Sequence, residues 1–333
     1  WWCRWGFIPH VNSEGASIVT KLKLSMLVFS VMVLTVLFVF LNAGFDFAYV
    51  IPQRLVRLAS IVLGGICVAF SSIIFQTIVG NRILTPSIMG YEAVYLLWQV
   101  MLLFFLGTSG LSWLGLNGNF FVSILLMLFY SWAMHRWLLT RVRNDVFQLL
   151  LFGLVLTMVI STVTQFIQLK ISPGEFSVFQ GLSYASFNRS QPETLIYAVV
   201  TVVMVLGLLR KKYAVLDVMV LGREQAISLG IDHHQYVKFY LALIAVLVAI
   251  STSLIGPTAF MGVFIANIAY ALAGTHQHKF TLAIGCVVAI AIFIIAQILV
   301  EHVFNYKTTV SILVNLVCGV YFLVLTVRAR GVS

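Results

Sequence analysis

Five uncharged polar residues, Thr157, Ser161, Thr164, Gln165 and Gln168, fall in one apolar run and recur at i, i+4, i+7, i+8 and i+11. At about 100° per residue this spacing gathers them on one helical face roughly 100° wide. In the last apolar run Thr308, Ser311, Asn315 and Cys318 repeat the pattern. Hydroxyls and carboxamides so placed have two uses. They can hydrogen-bond neighbouring helices, or they can form a wide, mildly polar, uncharged wall that lets a bulky solute pass without gripping it. The residues alone leave both open.

Other chemistry is harder to place. The ten acids (Glu14, Asp46, Glu92, Asp145, Glu175, Glu193, Asp217, Glu224, Asp232 and Glu301) all fall in loops or near the ends of apolar runs. With no carboxylate in the middle of a run, a proton-driven carrier is disfavoured. The phosphate-cradling GxxxxGK[ST] pattern is absent, so the chain does not bind ATP by that route. "GTSG", Gly107 to Gly110, matches the GxSG of rhomboid-type intramembrane proteases. It sits in an outer loop, no histidine is expected within a span to act as its base, and it reads as a turn. A membrane enzyme is therefore also disfavoured. His276 with His278, and His233 with His234, lack a third ligand and read as solvated histidines. Cys3, Cys67, Cys286 and Cys318 are scattered without metal spacing and read as small core residues.

Two segments could serve partners. Arg54 and Arg57 stand one turn apart at the mouth of the second apolar run, either as interfacial anchors or as receivers of a partner's carboxylates. In "VLGREQAISLGIDHHQYVKF" (Val220 to Phe239), Gly222 opens a helix of about seven residues and Gly230 closes it at the position a helix C-cap favours. Asp232 then begins the next helix, with Gln235 three residues on as a capping box. Helices this short are unstable alone in water, so the segment must pack on something.

The elements that position these residues follow from composition. The chain is 61% hydrophobic and 9% charged, with a mean hydropathy of +1.06. A soluble domain carries about 25% charged residues. Apolar runs near the ~20 residues needed to cross a bilayer place the spans at 24–42, 57–79, 91–107, 119–138, 147–168, 194–210, 236–254, 258–273, 280–300 and 309–327. The expectation is an all-α polytopic membrane protein of about ten transmembrane helices. The eighth span is short, and is expected to be tilted, re-entrant or packed within the bundle.

Basic residues orient the spans. With the N-terminus inside, 15 Lys and Arg fall on the cytoplasmic side, and only Arg54, Arg57, Lys170, Arg189 and Lys307 fall outside. Both termini are therefore expected in the cytoplasm, with the Gly222–Gly230 segment. The net charge of +10 belongs to this asymmetry rather than to nucleic-acid binding. Residues 1–23 read as a cytoplasmic leader, and 24–330 as one permease domain with short cytoplasmic helices at about 222–235.

Several stretches, in order along the chain, resemble one family. "VLGREQAISLGID" resembles the "LLGEEVARSLGV" element of ABC-importer permeases for iron-siderophore complexes, haem and cobalamin. "GPTAFMGVFIANIAYALAG" is similar to that family's "GPIGFVGLIVPHIARLLVG", "RLVR" to its "RLPR", and "QTIVGNRILTPSIMG" to its "QGLLRNPLADPGLLG". The C-terminus is similar to its last span, which ends in basic residues.

The resemblance implies ten helices per subunit and a dimer of permeases, the second chain identical or paralogous. Two cytoplasmic ATPases, which use ATP and Mg, and a periplasmic or lipoprotein siderophore-binding protein would complete an importer in the bacterial inner membrane. The permease itself would bind no cofactor and catalyse nothing. Gly222, Arg223, Glu224, Ala226, Leu229 and Gly230 would couple to the ATPase, and Arg54 and Arg57 would match arginines that receive the binding protein. The fifth and last spans resemble those lining the family's translocation path.

Asn267 and Tyr270 stand where the family often has His and Arg, and Glu301 stands where some members have a docking arginine. "NRILTPSIMGYEAVY" resembles a branch serving catecholate siderophores, which commonly pairs two different permeases.

Overall fold

The computed structural model describes residues 13–41, 50–141, 146–258, 260–275 and 277–330. Arg4 and most of the expected leader, Asp46 with the connection around it, Arg143, Asp145 and His276 lie outside the described residues. The described residues are helical almost throughout, and no strand occurs among them. The long helices are α1 (Ser13–Phe40), α2 (Val50–Val79), α3 (Tyr91–Arg141), α4 (Val146–Gln168), α6 (Pro192–Arg210), α9 (His233–Ile255), α11 (His278–Ile298) and α12 (Val310–Arg330). Shorter ones are α5 (Pro173–Leu182), α7 (Tyr213–Met219), α8 (Arg223–Ser228) and α10 (Met261–Ala273). A 3₁₀ turn at Pro86–Met89 precedes α3, and a π turn at Leu299–Val303 ends α11. Helix α1 begins well before residue 24, so the expected leader boundary is not a structural one.

Among the described residues, seven helices are long and apolar enough to cross a membrane. One of them, α3, has 51 residues, and as a straight rod at 1.5 Å per residue it would far exceed a ~30 Å hydrocarbon core. Instead it breaks at Gly107 (φ 61°) and Gly115 (φ 66°), and its two arms run antiparallel. Hydrogen bonds cross between them from Trp98 Nε1 to Asn119 Oδ1 (2.8 Å), from Asn119 Nδ2 to Gln99 Oε1 (3.1 Å) and between Tyr91 OH and Ser131 Oγ (3.3 Å). The third and fourth expected spans are these arms. The connection between them, expected as an irregular loop, is a helical turn held between two glycine breaks, and Ser109 of "GTSG" lies in it. Against the expectation that no span holds a histidine, His135 lies in the second arm, near its far end from Ser109, and is hydrogen-bonded to Ser131. With α10 and α12, each expected span corresponds to a helical segment.

The centre of the bundle is α2, α9 and α11. In their most apolar stretches 78% of α2 and 72% of α9 is buried, against 11% of α1 and 17% of α4. The peripheral helices therefore turn apolar faces outward, as lipid or a second subunit would allow. Small residues let the central helices approach: a Cβ on Gly285 of α11 would meet Ile73 Cδ1 at 2.5 Å, and one on Gly65 of α2 would meet the Ile290 backbone N at 3.3 Å. Helix α10 has 13 residues, about 20 Å, and is packed inside the bundle with Met261, Ile265, Ala266 and Ala269 buried.

Gly256 turns the chain from α9 toward α10 at φ +99°, where a Cβ would lie 2.9 Å from the Tyr184 carbonyl oxygen. Both the torsion and the clash are with fixed backbone. Gly256→Ala is therefore expected to destabilise by about 1–3 kcal/mol, read as a lower melting temperature in detergent. An unchanged melting temperature would show that the loop through Tyr184 yields instead.

Candidate coupling surface, ion cluster and polar faces

The segment after α7 is built from local signals. Gly222 (φ 99°) makes the turn into α8, and Gly230 (φ +80°) follows its C-cap residue Leu229. The Gly230 N–H donates to Ile227 O (2.9 Å) and the Ile231 N–H to Ala226 O (3.0 Å), the two bonds of a Schellman motif. Asp232 Oδ1 then accepts from the Gln235 N–H (3.1 Å) and caps α9. Ala226 is fully buried, and α8 seats on α7 and α9. Its other faces are open: Arg223 and Glu224 are exposed, and so are Val220, Leu221, Ile227 and Leu229. Four exposed apolar side chains around a charged six-residue helix form a surface of the kind a partner covers. The expectation that the segment packs on something is met on one side by its own chain and left open on the other. Helix α7 was not expected from the sequence, although Leu216 and Met219, its two buried residues, stand three apart at helical spacing.

Helix α2 runs from this end of the bundle to the opposite one, where Arg54 and Arg57 stand. The two were expected as interfacial anchors or as receivers of a partner's carboxylates, and the structure buries the first of them. Arg54 is buried, its Nη1 donating to the carbonyls of Phe38 (3.0 Å) and Val39 (3.2 Å) in the last turn of α1 and of Leu41 (2.6 Å) just beyond it. Its Nη2 donates to Glu301 Oε1 at 3.0 Å. Arg57 keeps 23% of its side chain exposed, 3.8 Å from Glu301 Oε2 and donating to Tyr306 OH (3.2 Å). Glu301 thus answers both arginines from within the chain. It is carried by the π turn, followed by Asn305 and Tyr306 at φ 46° and 59°, a strained region for residues with side chains. Burial first, and then the Glu301 carboxylate, push the Tyr306 phenol above its ordinary range.

The polar face of α4 divides. Thr157 Oγ1 lies 2.7 Å from Gly153 O and 3.1 Å from Ile88 O, and the buried Thr164 donates to Ile160 O (2.9 Å). Ser161 is half-buried. Gln165 and Gln168 line an open cleft of about 540 Å³ with Thr162, Phe166, Leu169 and Phe176. On α12, Ser311 Oγ accepts from the Ala185 N–H (2.6 Å), while Asn315 Oδ1 is buried without a hydrogen-bond partner among the described residues. Among the described residues no close packing joins the two faces: α4 packs chiefly on α3 and the 3₁₀ turn, and α12 on α10 and α11.

Two departures from the family pattern also find places. Asn267 Nδ2 donates to Arg82 O (3.0 Å), and the Arg82 guanidinium lies 4.7 Å from the Tyr270 ring centroid. His278, expected to be solvated, is buried and bonded on both ring nitrogens.

Comparison with known proteins agrees with this architecture. The FecCD transport family matches residues 16–328. The petrobactin import system permease protein YclO of Bacillus subtilis is 36% identical over 308 residues, 92% of this chain and 98% of that one. The petrobactin import system permease protein FatC of Bacillus anthracis is 30% identical over 286 residues, 86% and 81% of the two chains. A solved structure described as an inward-facing conformation of a metal-chelate type ABC transporter superposes with a TM-score of 0.81 at 19% identity, over 93% of this chain and 99% of that one, a likeness of fold. By the span of the family match and by relatives aligned over nearly their whole length, the chain belongs to the FecCD transport family and is a membrane-spanning ABC-transporter permease.

Proposed function

We propose that this permease carries an iron(III)-siderophore of catecholate type across the bacterial plasma membrane, driven by ATP hydrolysis in separate subunits. The observation that carries the reading is the 36% identity to a petrobactin permease over 98% of that protein's length. A second petrobactin permease protein of Bacillus subtilis, YclN, is 24% identical over 84% of this chain, which supports pairing with a paralogous rather than an identical permease. In this reading two ATPase subunits, with their ATP and Mg, cover the exposed apolar residues around α8. A siderophore-binding protein delivers the solute at the end carrying Arg57 and Glu301. Both termini lie inside, by the distribution of Lys and Arg.

The route would run between permease subunits, since α4 and α12 do not pack closely on each other within one. Ser161, Gln165, Gln168 and Asn315 have polar atoms left to line it. Thr157, Thr164 and Ser311 are already held by backbone groups and would shape the wall rather than touch the solute.

The test is iron uptake in a strain lacking this chain, supplied with petrobactin and with catecholate, hydroxamate and carboxylate siderophores in turn. Uptake from petrobactin and the catecholates should be lost and restored by the wild-type chain. Loss confined to hydroxamates would overturn the substrate class. Complementation with Ser161→Trp should restore uptake only to a several-fold lower rate, because the indole narrows the α4 face. A full rate would reduce that face to packing.

A further inference from the structure

Helix α7 leads directly into α8, and a short hydrogen-bonded chain ties it to the bundle. Asp217 Oδ1 accepts from the backbone N–H of His278, the first residue of α11 (2.7 Å), and lies 2.7 Å from His278 Nδ1. On the other side of the ring, His278 Nε2 is 2.9 Å from Thr77 Oγ1, which sits in the last turn of α2 and bonds Ile73 O at 2.8 Å. The His278 side chain is 4% exposed. One residue of α7 thus reaches both α11 and α2 through one buried imidazole.

The other end of α7 is held as well. Tyr240 OH on α9 donates to the Lys212 carbonyl oxygen (2.8 Å), and the Lys212 ammonium lies 4.6 Å and 4.7 Å from the ring centroids of Tyr236 and Phe239. Helix α8 follows without slack: the Gly222 N–H bonds Met219 O (3.1 Å), and Ala226 is buried. The three helices reached from α7, namely α2, α9 and α11, are the central ones.

A close-packed interior transmits displacement rather than absorbing it. An apolar contact between α7 and α11 would tolerate sliding, whereas two directional bonds on the two nitrogens of one ring fix distance and angle together.

We propose that Asp217, His278 and Thr77 form the joint through which α7 and α8 move with α2 and α11 as one body, so that displacement at α8 reaches the transmembrane core undiminished. The three are positioning residues with no contact to the solute. The proposal rests on the reading of α8 as the ATPase contact.

The importer reconstituted with its ATPase in liposomes gives the readout, siderophore iron taken up per ATP hydrolysed. Thr77→Val and Asp217→Ala should lower this ratio at least fivefold while hydrolysis continues, and Thr77→Ser and Asp217→Asn, which keep an oxygen in place, should restore at least half of it. A merely structural role would lower melting temperature and yield and leave the ratio alone. A wild-type ratio in folded Thr77→Val and Asp217→Ala overturns the proposal.

A second measurement does not depend on those variants folding. Spin labels at the exposed Ser228→Cys and Lys279→Cys, in a background free of the native cysteines, report the distance between α8 and the start of α11. It should stay constant between nucleotide-free and ATP-bound importer, and a change overturns the joint. Should the wild-type importer itself take up iron without hydrolysing ATP, the reading of α8 fails and the proposal with it. A failure confined to the variants or the labels falls on the joint alone.

Discussion

Ala226→Arg is expected to abolish the coupling of ATP hydrolysis to uptake while leaving the transmembrane bundle folded. Ala226 is fully buried where α8 rests on α7 and α9. Forcing a long side chain into a packed site costs about 1–3 kcal/mol. A six-residue helix has few hydrogen bonds with which to resist, and short helices are marginal without tertiary contacts. The cheapest response is for α8 to lift, since the packing of α2 on α9 and α11 does not involve it.

Glu224→Lys separates docking from unseating. Glu224 is exposed in the first turn of α8, where charge reversal costs roughly 0.3–1 kcal/mol through the helix dipole. That is too little to displace the helix, so uncoupling by this variant would report on the contact made with the ATPase. The measurement is uptake against ATP hydrolysis in the reconstituted importer. Normal coupling in both variants would remove α8 from the transmission path.

Glu301→Ala should cost about 3–5 kcal/mol, because it leaves the Arg54 guanidinium buried with one terminal nitrogen unpaired. The side chains of the pair are 6% and 13% exposed, so water cannot readily replace the carboxylate. Glu301→Gln keeps an oxygen within reach of Arg54 Nη2 and should lose less. Joint replacement, Arg54→Met with Glu301→Leu, should recover much of the loss, since a buried pair replaced by apolar groups is often near neutral. The recovery stays partial, because the Phe38, Val39 and Leu41 carbonyls lose their donor. Thermal unfolding in detergent ranks the variants. If the alanine variant melts with the wild type, the cluster does not hold α1 to α2 and the π turn, and its arginines are free for a partner after all.

The parts of this protein legible in its sequence are those that depend on neighbours along the chain. Helix α8 and its caps could be read from Gly222, Gly230 and Asp232 because a turn of positive φ and a capping carboxylate are local requirements. The spans could be read because crossing a bilayer is a matter of length and hydropathy in one segment. Even the hairpin in α3 was visible as two apolar runs around a glycine-rich connection, although not the helical turn between its breaks.

The pairings were not legible. Arg54 and Glu301 are 247 positions apart, and Thr77 and His278 are 201 apart. Nothing near Arg54 in the chain indicates that its donors are spent on the end of α1 and on Glu301. Nothing near His278 says that it is buried, and its nearness to His276 suggested a solvated pair. The polar face of α4 was legible as a face, but not which of its members are already bonded to backbone.

By itself, then, the sequence determined the class of protein, its helices and the turn chemistry of the α8 segment, because hydropathy, helical period and glycine torsions act within a few residues. The tertiary structure alone decided which charges are spent inside the fold and which remain for partners. An ion pair or a buried imidazole acquires its meaning from groups that only packing brings within 3 Å, and packing of α2, α9 and α11 is a property of the whole chain.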